Sequence, residues 1–91
     1  MKYTKNFLDK LEELFAETDY LLRYEKGNFK SGYCLLKENK IAIVNQYYPL
    51  EGKINALIDI LREIPVDVQK LSEKNRKLYH ELQQTDLKIS H

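Results

Sequence analysis

The apolar residues of this chain follow a helical period at first, then an extended one, and then a helical one again. Residues 4–18 place apolar side chains at spacings of one, three and four on one helical face, behind Thr4 as the N-cap. Residues 20–48 are rich in Tyr, Ile, Val and Leu, and helical spacing returns at Pro49. This order predicts an α+β domain with an N-terminal helix, a three-stranded antiparallel β-meander and two C-terminal helices.

The extended region divides into three runs, residues 20–26, 29–37 and 40–46. Gly27-Asn28 and Glu38-Asn39 separate them, and Gly and Asn tolerate the positive φ that two-residue hairpin turns require. The second turn then places Leu36 opposite Ile41 and Cys34 opposite Ile43.

The first turn fixes a predicted register as well. It places Glu25 opposite Lys30, Arg23 opposite Gly32, and Leu22 opposite Tyr33. A slip of one residue would exchange the two faces of the sheet, and the sequence alone leaves this alternative open. In this register one face of the sheet carries Leu21, Cys34, Leu36, Ile41 and Ile43 at one end and Arg23, Glu25, Lys30 and Gly32 over the rest. Both faces are apolar over much of their area, so we expect each of them to be covered.

The two C-terminal helices are predicted at residues 49–64 and 68–83. Pro49 suits the first helical position, Pro65 ends the helix, and Asp67 is the expected N-cap of the next one. Residues 1–84 form a single domain in this interpretation, and residues 85–91 form a frayed tail.

The last helix has a narrow apolar stripe with the three-four spacing of a coiled-coil seam. The stripe consists of Val68, Leu71, Asn75, Leu78 and Leu82. A polar residue such as Asn75 at an a-type position specifies register and partner number. We therefore expect a homodimer, formed through the sheet, this helix or both. Packing of the stripe against the first helix of its own chain is the alternative.

Composition excludes several classes of protein. The 15 basic and 14 acidic residues give a net charge of +1, which argues against general polyanion binding. No apolar run approaches the ~20 residues that span a membrane, and residues 1–10 lack the apolar core of a signal peptide. The single cysteine excludes an internal disulfide, and a cytoplasmic protein is predicted.

No catalytic constellation is evident. Cys34 is the one candidate nucleophile, with His80 or His91 as a possible base, but its apolar strand neighbours favour an inert, buried thiol. The histidine spacing predicts no metal site, and phosphate-binding glycine loops are absent from the sequence. We expect no cofactor, and a non-enzymatic protein-interaction or regulatory module is the leading hypothesis.

Two alternatives use the sheet surface instead. Arg23, Glu25, Lys30 and Asn45 could bind a small anionic ligand or serve a minor enzyme, since an arginine fork suits carboxylates. The strand region also combines five cations with several aromatic residues, a composition that can stack single-stranded nucleic acid. Packing of those aromatic residues within the sheet is the favoured interpretation, so nucleic-acid binding is the weakest alternative.

Several segments together resemble a group of short bacterial proteins without assigned function. These segments are Leu22-Arg23-Tyr24-Glu25-Lys26-Gly27-Asn28-Phe29, Gly32-Tyr33-Cys34 and Leu50-Glu51-Gly52-Lys53-Ile54. The resemblance covers most of the chain, from Lys2 to about Leu82. It implies a bacterial cytoplasmic setting and transfers no activity, cofactor or site residue.

Overall fold

A computed structural model describes residues 3–26 and 32–89, with side chains described up to residue 84. Three α-helices lie on one side of a three-stranded sheet, two of them packed on the sheet and the third packed on those two, which confirms the α+β prediction. The elements in chain order are α1 (Lys5–Ala16), β1 (Leu21–Glu25), β2 (Tyr33–Leu36), β3 (Ile41–Asn45), α2 (Leu50–Glu63), a short 3₁₀ helix (Val68–Lys70) and α3 (Glu73–Ile89).

The sheet is mixed, so the prediction of an antiparallel meander is wrong. The strand order is β1-β3-β2, with β1 parallel to β3 and β2 antiparallel to β3. Leu22 therefore lies beside Ala42 and Arg23 beside Ile43, instead of opposite Tyr33 and Gly32. The central strand is β3, which has a neighbour on both sides and contains the fully buried residues Ala42 and Val44.

The β2–β3 hairpin has the predicted register, with Leu36 paired to Ile41 and Cys34 to Ile43. Its turn nevertheless spans residues 37–40 instead of two residues, and the positive φ falls on Lys40 at 54°. The predicted Gly27-Asn28 turn and the pairing partner Lys30 lie outside the described residues.

Helices α1 and α2 cover the same face of the sheet and supply most of the core. Thr4 caps α1 as predicted, since its hydroxyl oxygen accepts a hydrogen bond from the Phe7 N–H at 3.1 Å. Pro49 precedes α2 as its N-cap, and the helix ends at Glu63, just before Ile64 and Pro65. The fully buried side chains of these helices include Leu11, Leu14, Phe15, Ile54, Leu57, Ile60 and Leu61.

The third helix begins later and extends further than the predicted range of 68–83. Asp67 caps the 3₁₀ turn by accepting a hydrogen bond from the Gln69 N–H, and the chain then bends. Ser72 is the cap of α3, because its hydroxyl accepts from the Asn75 N–H and its carbonyl accepts from the Arg76 N–H. The helix continues to Ile89, within the segment that was predicted to be a tail.

The apolar stripe of this region packs within its own chain. Leu71, Asn75 and Leu82 are buried, and Val68 and Leu78 are partly buried against the same core. The Arg62 side chain of α2 holds the C-terminal part of the stripe, donating from Nε and Nη2 to the Leu82 carbonyl at 3.2 and 2.8 Å. Of the two sequence interpretations of this stripe, the structure shows the intramolecular one.

Candidate functional site

One face of the sheet has no helix over it among the described residues. Side chains alternate between the two faces of a strand, and the helices cover the face formed by β1, β2 and β3 residues that include Ala42 and Val44. We call the opposite side the open face. It consists of Leu21, Arg23, Glu25, Cys34, Leu36, Ile41, Ile43 and Asn45.

The open face is apolar at one end and polar at the other. Leu21, Ile41 and Leu36 form one row across the three strands, and Leu21 and Leu36 are 59% and 41% exposed. The sequence had assigned these side chains to this face correctly. The sequence also predicted that this face is covered by other parts of the protein or by a partner, and no covering element is present in residues 3–26 and 32–84.

The polar end carries the side chains proposed for anion binding. Arg23 Nη2 lies 2.7 Å from Glu25 Oε2, and both side chains are substantially exposed. Asn45 is the register neighbour of Glu25, and its Oδ1 accepts a hydrogen bond from the Tyr47 N–H. Three of the four predicted residues are therefore neighbours, and Lys30 lies outside the described residues. Because Glu25 balances the charge of Arg23, the three described residues of this group give an anion no excess positive charge.

A groove of ≈ 400 Å³ runs along β1, where this edge strand faces α1. Its lining residues are Glu12, Phe15, Ala16, Tyr20, Leu21, Leu22 and Tyr24. The Tyr24 hydroxyl donates to the Glu12 carboxylate at 2.5 Å, and burial, followed by the Glu12 contact, raises the pKa of Tyr24. Lys53 lies over the Tyr24 ring, 5.4 Å from its centre. Sequence reasoning missed this groove, because it depends on β1 being an edge strand.

The outer edge of β1 exposes backbone groups beside this groove. The Leu21 N–H donates to the Lys40 carbonyl at 2.8 Å, and the Glu25 carbonyl accepts from the Gln46 N–H at 3.0 Å. Since backbone groups alternate sides along a strand, those of Leu22 and Tyr24 point away from β3. Within the described part of the chain β1 pairs on one side only, so it can accept another strand.

The candidate nucleophile and base do not come together. Cys34 is partly buried on the open face, which corrects the prediction of a buried thiol. His80 lies exposed on α3, which belongs to the helical layer on the other side of the sheet, and His91 lies outside the described residues. No group of His, Cys, Asp and Glu suited to a metal ion occurs in the described residues.

A second polar cluster joins the end of α1 to the start of α3. The Glu17 carboxylate accepts a hydrogen bond from the Ser72 N–H at 2.8 Å, and this bond, with that from the Asn75 side chain, lowers the pKa of Glu17. Asn75 is 5% exposed, and its Oδ1 has no partner among the described residues. These contacts fix the position of α3 along α1, so Asn75 specifies a register within one chain.

None of the family models, curated proteins or solved structures compared with this chain matches it. In the part of the chain that the structure covers, no helix has the length and apolar character needed to cross a membrane. The resemblance to short bacterial proteins stays a prediction.

Proposed function

We propose that this protein is a non-enzymatic cytoplasmic interaction module that self-associates, and that the open face is a contact with a second copy. The observation that carries the proposal is the uncovered row of Leu21, Ile41 and Leu36, continued by Ile43 in the next row. Burial of apolar area is the main favourable contribution to protein association. Exposed apolar patches rimmed by polar groups are typical of interaction sites.

The chemistry of the open face suits a second copy of the same chain. Among the described residues its charges are Arg23 and Glu25, which balance each other, so two such faces can stack without bringing net charge from these residues into the contact. Stacked sheets pack about 10 Å apart with interdigitated side chains. Leu36 and Leu21, at the two sides of the row, can then pack against Leu36 and Leu21 of the other copy.

The size of the open face limits the strength of this contact. Three strands at a spacing of about 4.8 Å and five residues at about 3.3 Å each give roughly 14 by 16 Å. Two faces of this size bury less than the about 1,200–2,000 Å² of a stable interface. The proposal therefore predicts reversible association in the micromolar range or weaker, if this is the only contact.

Sedimentation equilibrium over a range of concentrations tests the proposal. The wild-type protein is expected to rise above the 10.9 kDa monomer mass as concentration increases. Leu36→Asp should lower the average mass at every concentration, since it places a charge within an apolar contact. Tyr3→Asp is the matched control, because Tyr3 is also 41% exposed but lies in the helical layer, where it bonds to Asn55.

Circular dichroism and thermal unfolding would establish that each variant is folded. Ile41→Thr provides a second test with a side chain that retains strand propensity. A wild-type mass near 10.9 kDa throughout would overturn the proposal. Equal average masses for wild type, Leu36→Asp and Ile41→Thr would show that the open face is not the contact.

A further inference from the structure

The free edge of β1 offers a second contact, which would supply area that the open face lacks. We infer that β1 pairs antiparallel with β1 of a second copy, about a two-fold axis at Tyr24. This inference rests on the proposed self-association and names a distinct surface for it. The outward backbone groups of Leu22 and Tyr24 would form the new ladder, while the bonds from β1 to β3 stay in place.

Charge on the open face selects this register. With the axis at Tyr24, each Arg23 lies opposite Glu25 of the second copy, and opposite charges in directly facing pairs are stabilising. With the axis at Arg23, the two arginines would face each other, which is destabilising. With the axis at Leu22, Arg23 would lie opposite Leu21 and its charge would gain no partner.

The other side of the strand agrees with the same register. Lys26 comes directly after β1 and is exposed. If the strand alternation continues to it, Lys26 lies on the same side as Leu22 and Tyr24. The axis at Tyr24 places Lys26 of the second copy opposite Leu22, at the groove between α1 and β1. Glu12 lines that groove and has no ion-pair partner among the described residues; Tyr24 is its hydrogen-bond donor. A lysine from the second copy would supply the missing cation.

This pairing joins two three-stranded sheets into one of six strands, in the order β2-β3-β1-β1-β3-β2. It removes one free edge from each copy, and free edges favour unspecific strand addition. It also doubles the length of the open face, so the two contacts reinforce each other. Arg23 and Glu25 belong to both contacts, whereas Leu36 lies on β2, so Leu36→Asp removes the open-face contact and leaves β1 unchanged.

The decisive experiment uses Leu36→Asp to remove the open-face contact first. In that background, sedimentation equilibrium is expected to show a dimer that arises from β1 alone. Arg23→Glu and Glu25→Arg, introduced singly, should each raise the dimer Kd at least about tenfold, because like charges then face each other across the axis. An equimolar mixture of these two variants should form a heterodimer, because two acidic residues of one copy face two arginines of the other.

The mixture separates pairing between copies from the Arg23–Glu25 pair within each copy. Neither variant contains that internal pair, so a heterodimer tighter than either homodimer requires contact between chains. Lys5→Glu is the control, since its ion pair with Asp9 lies on α1. It should leave the Kd unchanged.

The outcomes distinguish the two proposals. A Leu36→Asp variant that is monomeric while the wild type self-associates would overturn the β1 pairing and leave the open-face contact intact. A dimer that is insensitive to both charge variants, with no preference for the heterodimer, would also overturn it. A monomeric wild type would overturn both proposals.

Discussion

Tyr48 lies between two glycines, and each glycine is there because a side chain would meet the tyrosine ring. Gly32, just before β2, has a φ of +82°, and a Cβ at this position would overlap the Tyr48 ring. Gly52, in the first turn of α2, would place a Cβ 2.8 Å from Tyr48 Cδ2. The Tyr48 ring thus contacts both the sheet and the start of α2. Glycine is ordinarily unfavourable within a helix, and contact with this ring accounts for Gly52 there.

Gly32→Ala should destabilise the protein by about 2–4 kcal/mol, combining the cost of a positive φ with that of overpacking. Urea denaturation measures the change in the free energy of unfolding. Gly52→Ala is the comparison, because the displacement of Tyr48 is partly offset by about 1 kcal/mol of helix propensity. A Gly32→Ala protein as stable as wild type would show that Tyr48 moves away freely.

Tyr24 should make the protein sensitive to alkaline pH. Burial and the Glu12 hydrogen bond raise the pKa of the folded-state hydroxyl above its unfolded value of about 10. Above that pH the unfolded chain loses this proton while the folded chain keeps it, so stability falls until the folded-state pKa is reached.

Urea denaturation at pH 8 to 11 checks this expectation. Between pH 8 and pH 11 the free energy of unfolding should fall by about 0.5–1 kcal/mol more for wild type than for Tyr24→Phe. This value allows for solvent screening, because the hydroxyl is only partly shielded from solvent. Tyr47→Phe, at an exposed position, should keep the wild-type slope. Parallel profiles for wild type and Tyr24→Phe would contradict the prediction.

At the scale of elements, the strand faces were predictable and the strand order was not. A period of two assigns side chains to faces whichever strand lies alongside, so the apolar row of Leu21, Leu36 and Ile41 could be recognised. The β2–β3 register was also predictable, because a short turn fixes it locally. The position of β1 depends on which edge of β3 is free, and no local pattern contains that information.

The same distinction applies to the helices. The apolar stripe of α3 was visible in the sequence, but its partner was not, since a seam of this length fits a second chain or a helix of its own. The structure places Asn75 against Glu17, a residue far away along the chain. The groove between α1 and β1 was not predicted for the same reason, and neither was the hydrogen bond from Tyr24 to Glu12 within it.

Arg62 should contribute measurably to the docking of α3 on α2. Its two hydrogen bonds to the Leu82 carbonyl come from a charged donor, and a bond of this kind contributes about 1.5–3 kcal/mol. Arg62→Met keeps the apolar stem but removes both donors, so we expect a loss of about 1–2 kcal/mol in urea denaturation. Arg62→Lys should recover only part of it, because lysine lacks the planar fork. Equal stability of wild type and Arg62→Met would remove this role.

At the scale of the whole molecule, the helices of the described residues all lie on one side of the sheet, which leaves the open face for the proposed association. The chain has enough helical surface to bury one sheet face, and α3 packs on α1 and α2 instead of reaching the other face. Self-association was predicted through the sheet, the last helix or both, and of these two surfaces only the sheet face is left open among the described residues, so the contact is proposed there.

Cys34 provides a direct measurement of that surface, because it is the single cysteine and lies on the open face. If the open faces stack, the rate of maleimide alkylation should fall several-fold as protein concentration rises through the association range. Leu36→Asp should hold the rate at the dilute value, and urea-unfolded protein gives the rate of a fully accessible thiol. A rate independent of concentration in an associating wild type would place the contact elsewhere.

The parallel pairing of β1 with β3 has a consequence for how the chain reaches this structure. The β2–β3 hairpin closes over a short turn, whereas Leu21 must find Ile41 twenty positions later, and closure of the longer loop costs more entropy. The hairpin is therefore expected to form first, with one edge of β3 vacant. During that interval the first segment of another chain can occupy the vacancy. Exchange of β1 between copies is the misassembly that this topology favours, and its frequency should rise with protein concentration during refolding.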